Sequence, residues 1–172
     1  AECEPYLTTD YRLMLEQTEK LVKGLQIMLQ VHPKAKGVIG IEDNKPQAIK
    51  VLQDAVKDIP NIEVAPLKAK FPQGSEKHLI YAITKREVPS GGLPSAVGCI
   101  VDNVDTVISI YKAVCEGRPL LTRIVTVTGG APANPGNYEI RIGMTFKDLM
   151  DAVGGFKEEP AKMIAGGPMM GP

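Results

Sequence analysis

The chain has 172 residues, in which 20 Lys and Arg are balanced by 20 Asp and Glu. This neutral balance excludes the basic field that attracts nucleic acid or anionic lipid, so nucleic acid is not an expected partner. The length is enough for one good core or for two compact units. Apolar residues make up 44% without any Trp, which indicates an aliphatic interior. We expect a soluble chain, because the longest apolar runs are far shorter than the roughly 18 to 20 residues that span a bilayer.

The cysteines and histidines do not form a recognisable metal or disulfide pattern. Cys3, Cys99 and Cys115 are odd in number, far apart and outside any CxxC spacing, so neither a disulfide framework nor a cluster motif is predicted. His32 and His78 have no second ligand four residues away, so a zinc site is not predicted either. A reducing cytoplasm is the default compartment for such a sequence.

The first elements alternate between helices and strands. Apolar positions at helical spacing predict one amphipathic helix over residues 10–32. Residues 37–41 form a short apolar run typical of a buried strand, and a Pro begins the apolar stripe of a second helix over 46–59. Residues 61–67 have the pattern of a second strand. The positions expected to face inward on the first helix are Leu13, Leu21, Leu25, Met28 and Leu29.

The alternation continues to a composition break at residues 117–119. A helix is predicted over residues 73–84, a Gly- and Pro-rich loop over 89–94, a third strand over 97–101 and a helix over 103–117 that ends at its glycine. Strands that alternate with helices of this length pair in parallel with crossover helices. Residues 1–118 are therefore predicted to form a three-layer α/β domain whose first strand is missing.

The remainder of the chain has a different pattern. Strands are predicted over residues 122–128 and 137–142, which could pair as a hairpin, followed by a helix over 145–153 and a last strand over 162–165. The order strand, strand, helix, strand indicates a small β-grasp domain over residues 119–172. The helix residues expected to face inward are Phe146, Leu149 and Met150.

Four stretches, in this order, resemble a known family. They are residues 2–14, which begin Glu-Cys-Glu-Pro-Tyr-Leu, 72–77 (Pro-Gln-Gly-Ser-Glu-Lys), 86–94 (Arg-Glu-Val-Pro-Ser-Gly-Gly-Leu-Pro) and 166–171 (Gly-Gly-Pro-Met-Met-Gly). Together they resemble the C subunit of Rnf electron-transport complexes. Residues 134–138 and 143–146 are similar to the SLBB domain of the distantly related FMN- and NADH-binding subunit of respiratory complex I. The resemblance implies a Rossmann-like domain followed by an SLBB β-grasp domain.

The resemblance also implies an activity, cofactors and partners. In that family a noncovalent FMN accepts hydride from NADH and passes single electrons to iron-sulfur clusters, within a complex that exports sodium or protons. The partners so implied are the membrane-bound Rnf subunits and, through the complex, ferredoxin. The expected location is the cytoplasmic face of the membrane, as a peripheral part of an oxidoreductase complex. The flavin supplies the chemistry, so no catalytic side chain is predicted.

Two acidic residues near the start of the chain are candidate ligands. Glu2 and Glu4 lie two residues apart before a Pro, so an extended backbone would direct both carboxylates to the same side. The resemblance implies that Glu2 approaches the flavin and that Glu4 reaches the nicotinamide nucleotide. The alternative is an exposed acidic terminus.

Two further segments supply the remaining candidates. The resemblance implies that Gly74 and Glu76 lie in a loop against the flavin, where glycine allows a close approach of the backbone; the alternative is an ordinary helix start. Asp102, Asn103 and Thr106 lie where the predicted third strand meets a helix, which is where open α/β sheets bind ligands. Amides and a hydroxyl at a helix N-terminus suit the FMN phosphate, and Asn103 is also a plausible ordinary N-cap.

Parts of the family pattern are not in this sequence. The glycine-rich flavin loop is expected before Glu2, and the cysteine motifs that hold two 4Fe-4S clusters are expected after Pro172. Both ends of the sequence therefore look like boundaries of a fragment. We expect this fragment alone to be inactive and to bind FMN weakly or not at all.

Two other functions are compatible with the residues. One is another flavin-dependent reductase of similar architecture, such as a cobalamin reductase, which shares these motifs. The other is a noncatalytic module whose SLBB domain docks a protein or a small ligand.

Overall fold

A computed structural model describes residues 2–172. The chain divides into two compact units between Gly117 and Arg118. The first unit contains Asp10–Gly117 together with Glu2 and Cys3, and the second contains Arg118–Pro172 together with Glu4–Thr9. No helix within residues 2–172 is both long and apolar enough to cross a membrane.

The first unit begins with two helices where the apolar pattern predicts one. Helix α1 spans Thr9–Glu16 and helix α2 spans Thr18–Val31, with Gln17 between them in a non-helical conformation. The Thr18 hydroxyl donates to the carbonyl of Met14 at 2.6 Å. Such a bond competes with the helical backbone and accounts for the break. The buried side chains still follow the predicted stripe, since Leu13, Leu21 and Leu29 are buried.

A parallel strand pair forms the centre of this unit, as predicted. Strand β1 (Gly37–Glu42) pairs in register with strand β2 (Ile62–Leu67), and helix α3 (Pro46–Val56) connects them. A Cβ at Gly37 would touch Leu25 of α2, and one at Gly40 would touch Leu79. Successive strand residues face opposite sides of a sheet, so helices cover both faces and the unit has the predicted three layers.

The second half of this unit departs from the prediction in one element. Helices α4 (Glu76–Thr84) and α5 (Val104–Glu116) are present, but the third strand predicted at 97–101 is not. A short 3₁₀ helix at Pro94–Val97 stands there instead, and the Gly98 amide donates back to its carbonyls. The Gly98 amide, which a strand would have offered to a sheet, is thus used within this turn.

Helices α2 and α5 approach each other closely at Gly24. A Cβ built at Gly24 would lie 2.2 Å from the carbonyl oxygen of Val107 in α5, far inside van der Waals contact. Val107 and Ile108 of α5 are both buried. The glycine therefore sets the distance at which α5 packs on α2.

The second unit is a small β domain. Strands β3 (Thr122–Val127) and β4 (Gly136–Arg141) form the predicted antiparallel hairpin, and helix α6 (Phe146–Ala152) packs on it. Leu149 and Met150 are buried as predicted, whereas Phe146, at the first helical position, is 59% exposed. The core residues are Val127, Leu149, Met150 and Val153.

Residues 162–165 do not form the predicted strand, and the chain turns just after them, at residues 166–171. Gly166 and Gly167 have φ of +96° and +104°, which L-residues with a side chain rarely adopt. The Met169 amide donates to Glu4 Oε2 at 3.1 Å, so the turn folds against the Glu4 carboxylate. A Cβ at Gly167 would lie 2.4 Å from the same oxygen. Only glycine fits both the conformation and the space.

We predict that Gly24→Ala destabilises the first unit. The added methyl meets backbone, which cannot rotate away, and overpacking of this kind costs about 1 to 3 kcal/mol. The higher helix propensity of Ala recovers roughly 1 kcal/mol of this. Urea unfolding followed by circular dichroism measures the net loss. Gln30→Ala, on the exposed side of α2, is the matched control, and equal midpoints for the two variants would refute the close approach.

We predict that Gly167→Ala destabilises the turn at residues 166–171 and that part of this loss depends on Glu4. In the Glu4→Ala background the collision disappears and only the positive-φ strain remains, so the second substitution costs less. A double-mutant cycle from unfolding free energies measures this coupling. Strictly additive free energies would show that Glu4 does not contact Gly167.

Candidate functional site

Charged residues gather at the carboxyl end of β1. Glu42 is the last residue of the strand and is only 6% exposed, which is rare for a carboxylate. Lys45 Nζ lies 3.0 Å from its Oε2 and balances its charge. The next residue, Asp43, accepts the Ala69 amide at 3.0 Å and so ties the loop after β1 to the loop after β2. Ligands of open α/β sheets bind at this edge.

Glu2 and Asp10 extend this group towards helix α5. The Glu2 amide donates to Glu42 Oε2 at 3.4 Å. The Glu2 carboxylate acts on Asp10 from the same side and raises the pKa of Asp10. Asp10 Oδ2 accepts the Asn103 side-chain amide at 2.8 Å. The structure thus brings the predicted residues Glu2 and Asn103 together, with Asp10 between them. We call Glu2, Asp10 and Glu42 the carboxylate cluster.

The pKa of Asp10 is raised from its ordinary value of 3.8 to about 6. Burial is the largest cause, because it penalises the charged carboxylate, and the negative charge of Glu2 adds to it. The hydrogen bond from Asn103 acts in the opposite direction, since it stabilises the charged form. Asp10 is therefore protonated at acidic pH and ionises near pH 6.

Helix α5 begins beside this cluster with the predicted cap. The Asn103 side chain accepts the Asp105 amide at 2.9 Å, and the first intrahelical bond runs from the Val107 amide to the Asn103 carbonyl. The amides of Val104 and Thr106 precede that bond and so have no partner within the helix. Asp102 is exposed, and Thr106 is half-buried in the first turn. This helix end presents N–H donors, which suit an anion.

The loop before α4 contains two further predicted residues. Gly74 is half-buried, and Glu76, the first residue of α4, is exposed. The backbone of this loop is hydrogen-bonded within its own turns, with the Gln73 amide on the Lys70 carbonyl and the Ser75 amide on that of Pro72. The contact of this loop with a flavin stays a prediction.

Glu4 is held differently from Glu2. The extended backbone expected for residues 2–4 is wrong at its end, because the chain bends at Glu4 and turns at Pro5 and Tyr6, which has φ of +68°. Glu4 belongs to the second unit, where it accepts the Met169 amide. Its contact with a nicotinamide nucleotide stays a prediction.

Three polar residues of the first unit were not among the sequence-based candidates. They are Asp10, Glu42 and Gln73, of which the last is 5% exposed. Glu42 could have been found, since it directly follows a strand predicted to end at the ligand-binding edge. Asp10 looks like an ordinary acidic residue in the first turn of a helix, and its burial depends on contacts from distant segments.

Two protein-family models match successive parts of the chain. Residues 1–112 match the model of the Nuo51 FMN-binding domain. Residues 124–172 match the model of the SLBB domain. The first match covers well over half of the chain.

Curated relatives match nearly the whole chain. The C subunit of the proton-translocating ferredoxin:NAD(+) oxidoreductase complex of Clostridium ljungdahlii is 54% identical over 99% of this chain. The corresponding protein of the Na(+)-translocating complex of Acetobacterium woodii is 51% identical over 99% of it. The C subunit of an ion-translocating oxidoreductase complex of Haemophilus influenzae is 42% identical over the same share.

The chain spans only part of each of these relatives, 37%, 39% and 26% of their lengths in the same order. Within that part the match is continuous from the first domain to the second. The chain belongs to the Nuo51 FMN-binding domain family, with an SLBB domain after it, and its resemblance to the C subunits of Rnf-type complexes is confirmed.

Proposed function

We propose that this chain forms the flavin- and NADH-binding part of a C subunit in an ion-translocating ferredoxin:NAD(+) oxidoreductase complex. The single observation that carries the proposal is the convergence of Glu2, Asp10 and Asn103 at the carboxyl end of β1, within the region that matches an FMN-binding domain. The names of the relatives support the role in the complex. When bound, FMN supplies hydride acceptance from NADH and one-electron release.

The start of α5 fits the phosphate of FMN. Val104 and Thr106 offer backbone amides that the helix itself does not use, and the Thr106 hydroxyl adds a third donor in the same turn. The helix dipole favours a negative charge at this end. We propose these groups, with the Asn103 side chain, as the phosphate ligands.

The carboxylate cluster fits a different part of the flavin. Glu2 and Asp10 are hydrogen-bond acceptors when ionised, and they would repel a phosphate placed directly against them. Ribityl hydroxyls and ring N–H groups are donors, so they suit these carboxylates. Gly74, Glu76 and Asp102 are proposed as further contacts, and Glu4 as a contact of the nicotinamide nucleotide.

The partners and the remaining cofactors belong to the whole complex. We propose that electrons leave this part of the protein through two 4Fe-4S clusters of the full-length chain and reach ferredoxin through membrane-bound Rnf subunits. A peripheral position on the cytoplasmic face of the membrane follows from such partners. The relatives couple the reaction to protons in one organism and to Na⁺ in another.

We predict that the chain binds FMN weakly but more tightly than riboflavin, which lacks the phosphate. In two-dimensional NMR titrations, FMN should shift the amide signals of Val104, Asp105 and Thr106, whereas riboflavin should leave them in place. Asn103→Asp keeps a capping oxygen but adds a negative charge, so it should abolish the preference for FMN. Asn103→Ser keeps the cap without the charge and should retain part of it.

The control is Asn61→Ala, which lies at the amino end of β2, away from the ligand-binding edge. It should bind FMN like the unsubstituted chain. Equal shifts with FMN and riboflavin would contradict the phosphate assignment, and sub-micromolar FMN affinity would contradict weak binding.

A further inference from the structure

We propose that Asp10 is a positioning residue that orients the Asn103 side chain and thereby the N-terminus of α5. The proposal rests on the proposed function, because its consequence for ligand binding assumes that the α5 N-terminus holds the FMN phosphate.

The Asn103 side chain makes two bonds that require opposite ends of its amide. Its Oδ1 accepts the Asp105 amide at 2.9 Å, and its Nδ2 donates to Asp10 Oδ2 at 2.8 Å. An amide turned by 180° would direct Nδ2 at a backbone N–H, which is a clash of two donors. A carboxylate at Asp10 accepts but does not donate, so it fixes the amide in the capping orientation.

Asp10 is itself held from the strand side. Its carboxyl interacts with that of Glu2, whose backbone amide donates to the buried Glu42. A series of neighbouring groups therefore connects the carboxyl end of β1 with the cap of α5. Because each member is fixed by the next, the position of the α5 N-terminus relative to the strand depends on Asp10.

The protonation of Asp10 gives this arrangement a measurable pH dependence. The charged groups that act on Asp10 are Glu2, which raises its pKa, and the amino group of the chain, which lowers it. Glu42 and Lys45 lie behind Glu2, and Asp105 follows the Asn103 cap. Below pH 6 Asp10 is neutral. Above pH 6 Asp10 carries a negative charge beside the helix end, so phosphate binding should weaken there.

The first experiment needs no ligand. The Asn103 side-chain NH₂ signals of the chain, followed by NMR from pH 4 to 8, should move with a midpoint near pH 6. In Asp10→Asn, which cannot ionise but still offers an oxygen to Asn103 and N–H donors to Glu2, they should stay constant. A midpoint that persists in Asp10→Asn, or no midpoint in the original chain, would overturn the proposal whether or not FMN binds.

The same substitution has a signed effect on stability. Because the folded-state pKa of Asp10 is raised, its contribution to stability is complete below about pH 4 and is lost as the pH rises through 6. Asp10→Asn should therefore match the original chain at pH 4 and have the higher urea midpoint at pH 7.5. Asp54→Asn, an exposed change on α3, should have no pH-dependent effect. A pH-independent difference for Asp10→Asn would count against the proposal.

The ligand experiment separates the two proposals. The ratio of the FMN affinity of the original chain to that of Asp10→Asn should fall as the pH rises from 5 to 7.5. The FMN phosphate titrates in the same way with both proteins, so its own titration does not affect this ratio. Asp10→Ala, which loses the bond to Asn103, should bind FMN more weakly than Asp10→Asn at every pH. A constant ratio would contradict the positioning role, whereas absence of FMN binding to all three would contradict the predicted weak binding of FMN by this chain and leave the ligand-free experiment decisive.

Discussion

The close approach of α2 and α5 at Gly24 is the constraint on which the site depends. Helix α2 follows α1 directly, and α1 carries Asp10 in its first turn, whereas α5 carries Asn103 at its cap. A side chain at position 24 would separate the two helix backbones and move these residues apart. We therefore expect a packing contact in the interior to influence the 2.8 Å hydrogen bond between Asn103 and Asp10.

The parallel strand pair provides the second fixed point. β1 ends at a buried carboxylate, Glu42, and Lys45 compensates its charge locally. A buried ion pair contributes little net stability, because both ions lose hydration, yet removal of one partner leaves an expensive unpaired charge. Glu42 also accepts the Glu2 backbone amide and so holds Glu2 against the sheet. Its burial is therefore better explained by its positioning of Glu2 than by stability.

Local signals were enough to predict the elements of the first unit that build the site. The β1, α3 and β2 order follows from periodicity and from the Pro that begins α3, and the Asn103 cap follows from residue chemistry at a helix start. The strand expected at 97–101 failed because an apolar run does not show whether a partner strand is available. The Gly98 turn satisfied its backbone groups instead.

The centre of the site could not be predicted, because it is made by contacts between distant segments. Asp10 and Asn103 are 93 positions apart, and only the fold shows that one is the partner of the other. The family resemblance supplied Glu2, and the predicted helix start supplied Asn103, but neither indicated the carboxyl between them. Glu4 shows the converse, since its spacing from Glu2 indicated a shared direction while the bend at Pro5 and the bond from Met169 give it other neighbours.

In the proposed site, one small region would hold both ends of a flavin nucleotide. The amides that α5 leaves unused at its start would attract a dianionic phosphate, and the carboxylates of Glu2 and Asp10 would attract donors and repel that phosphate. Two neighbouring groups of opposite preference would then fix the direction of a ligand that has an anion at one end and N–H and O–H groups along the rest. A proton on Asp10 lowers the repulsion at the boundary between them. The orientation of the ligand is therefore expected to be most sharply defined when Asp10 is ionised, and its affinity highest when Asp10 is protonated.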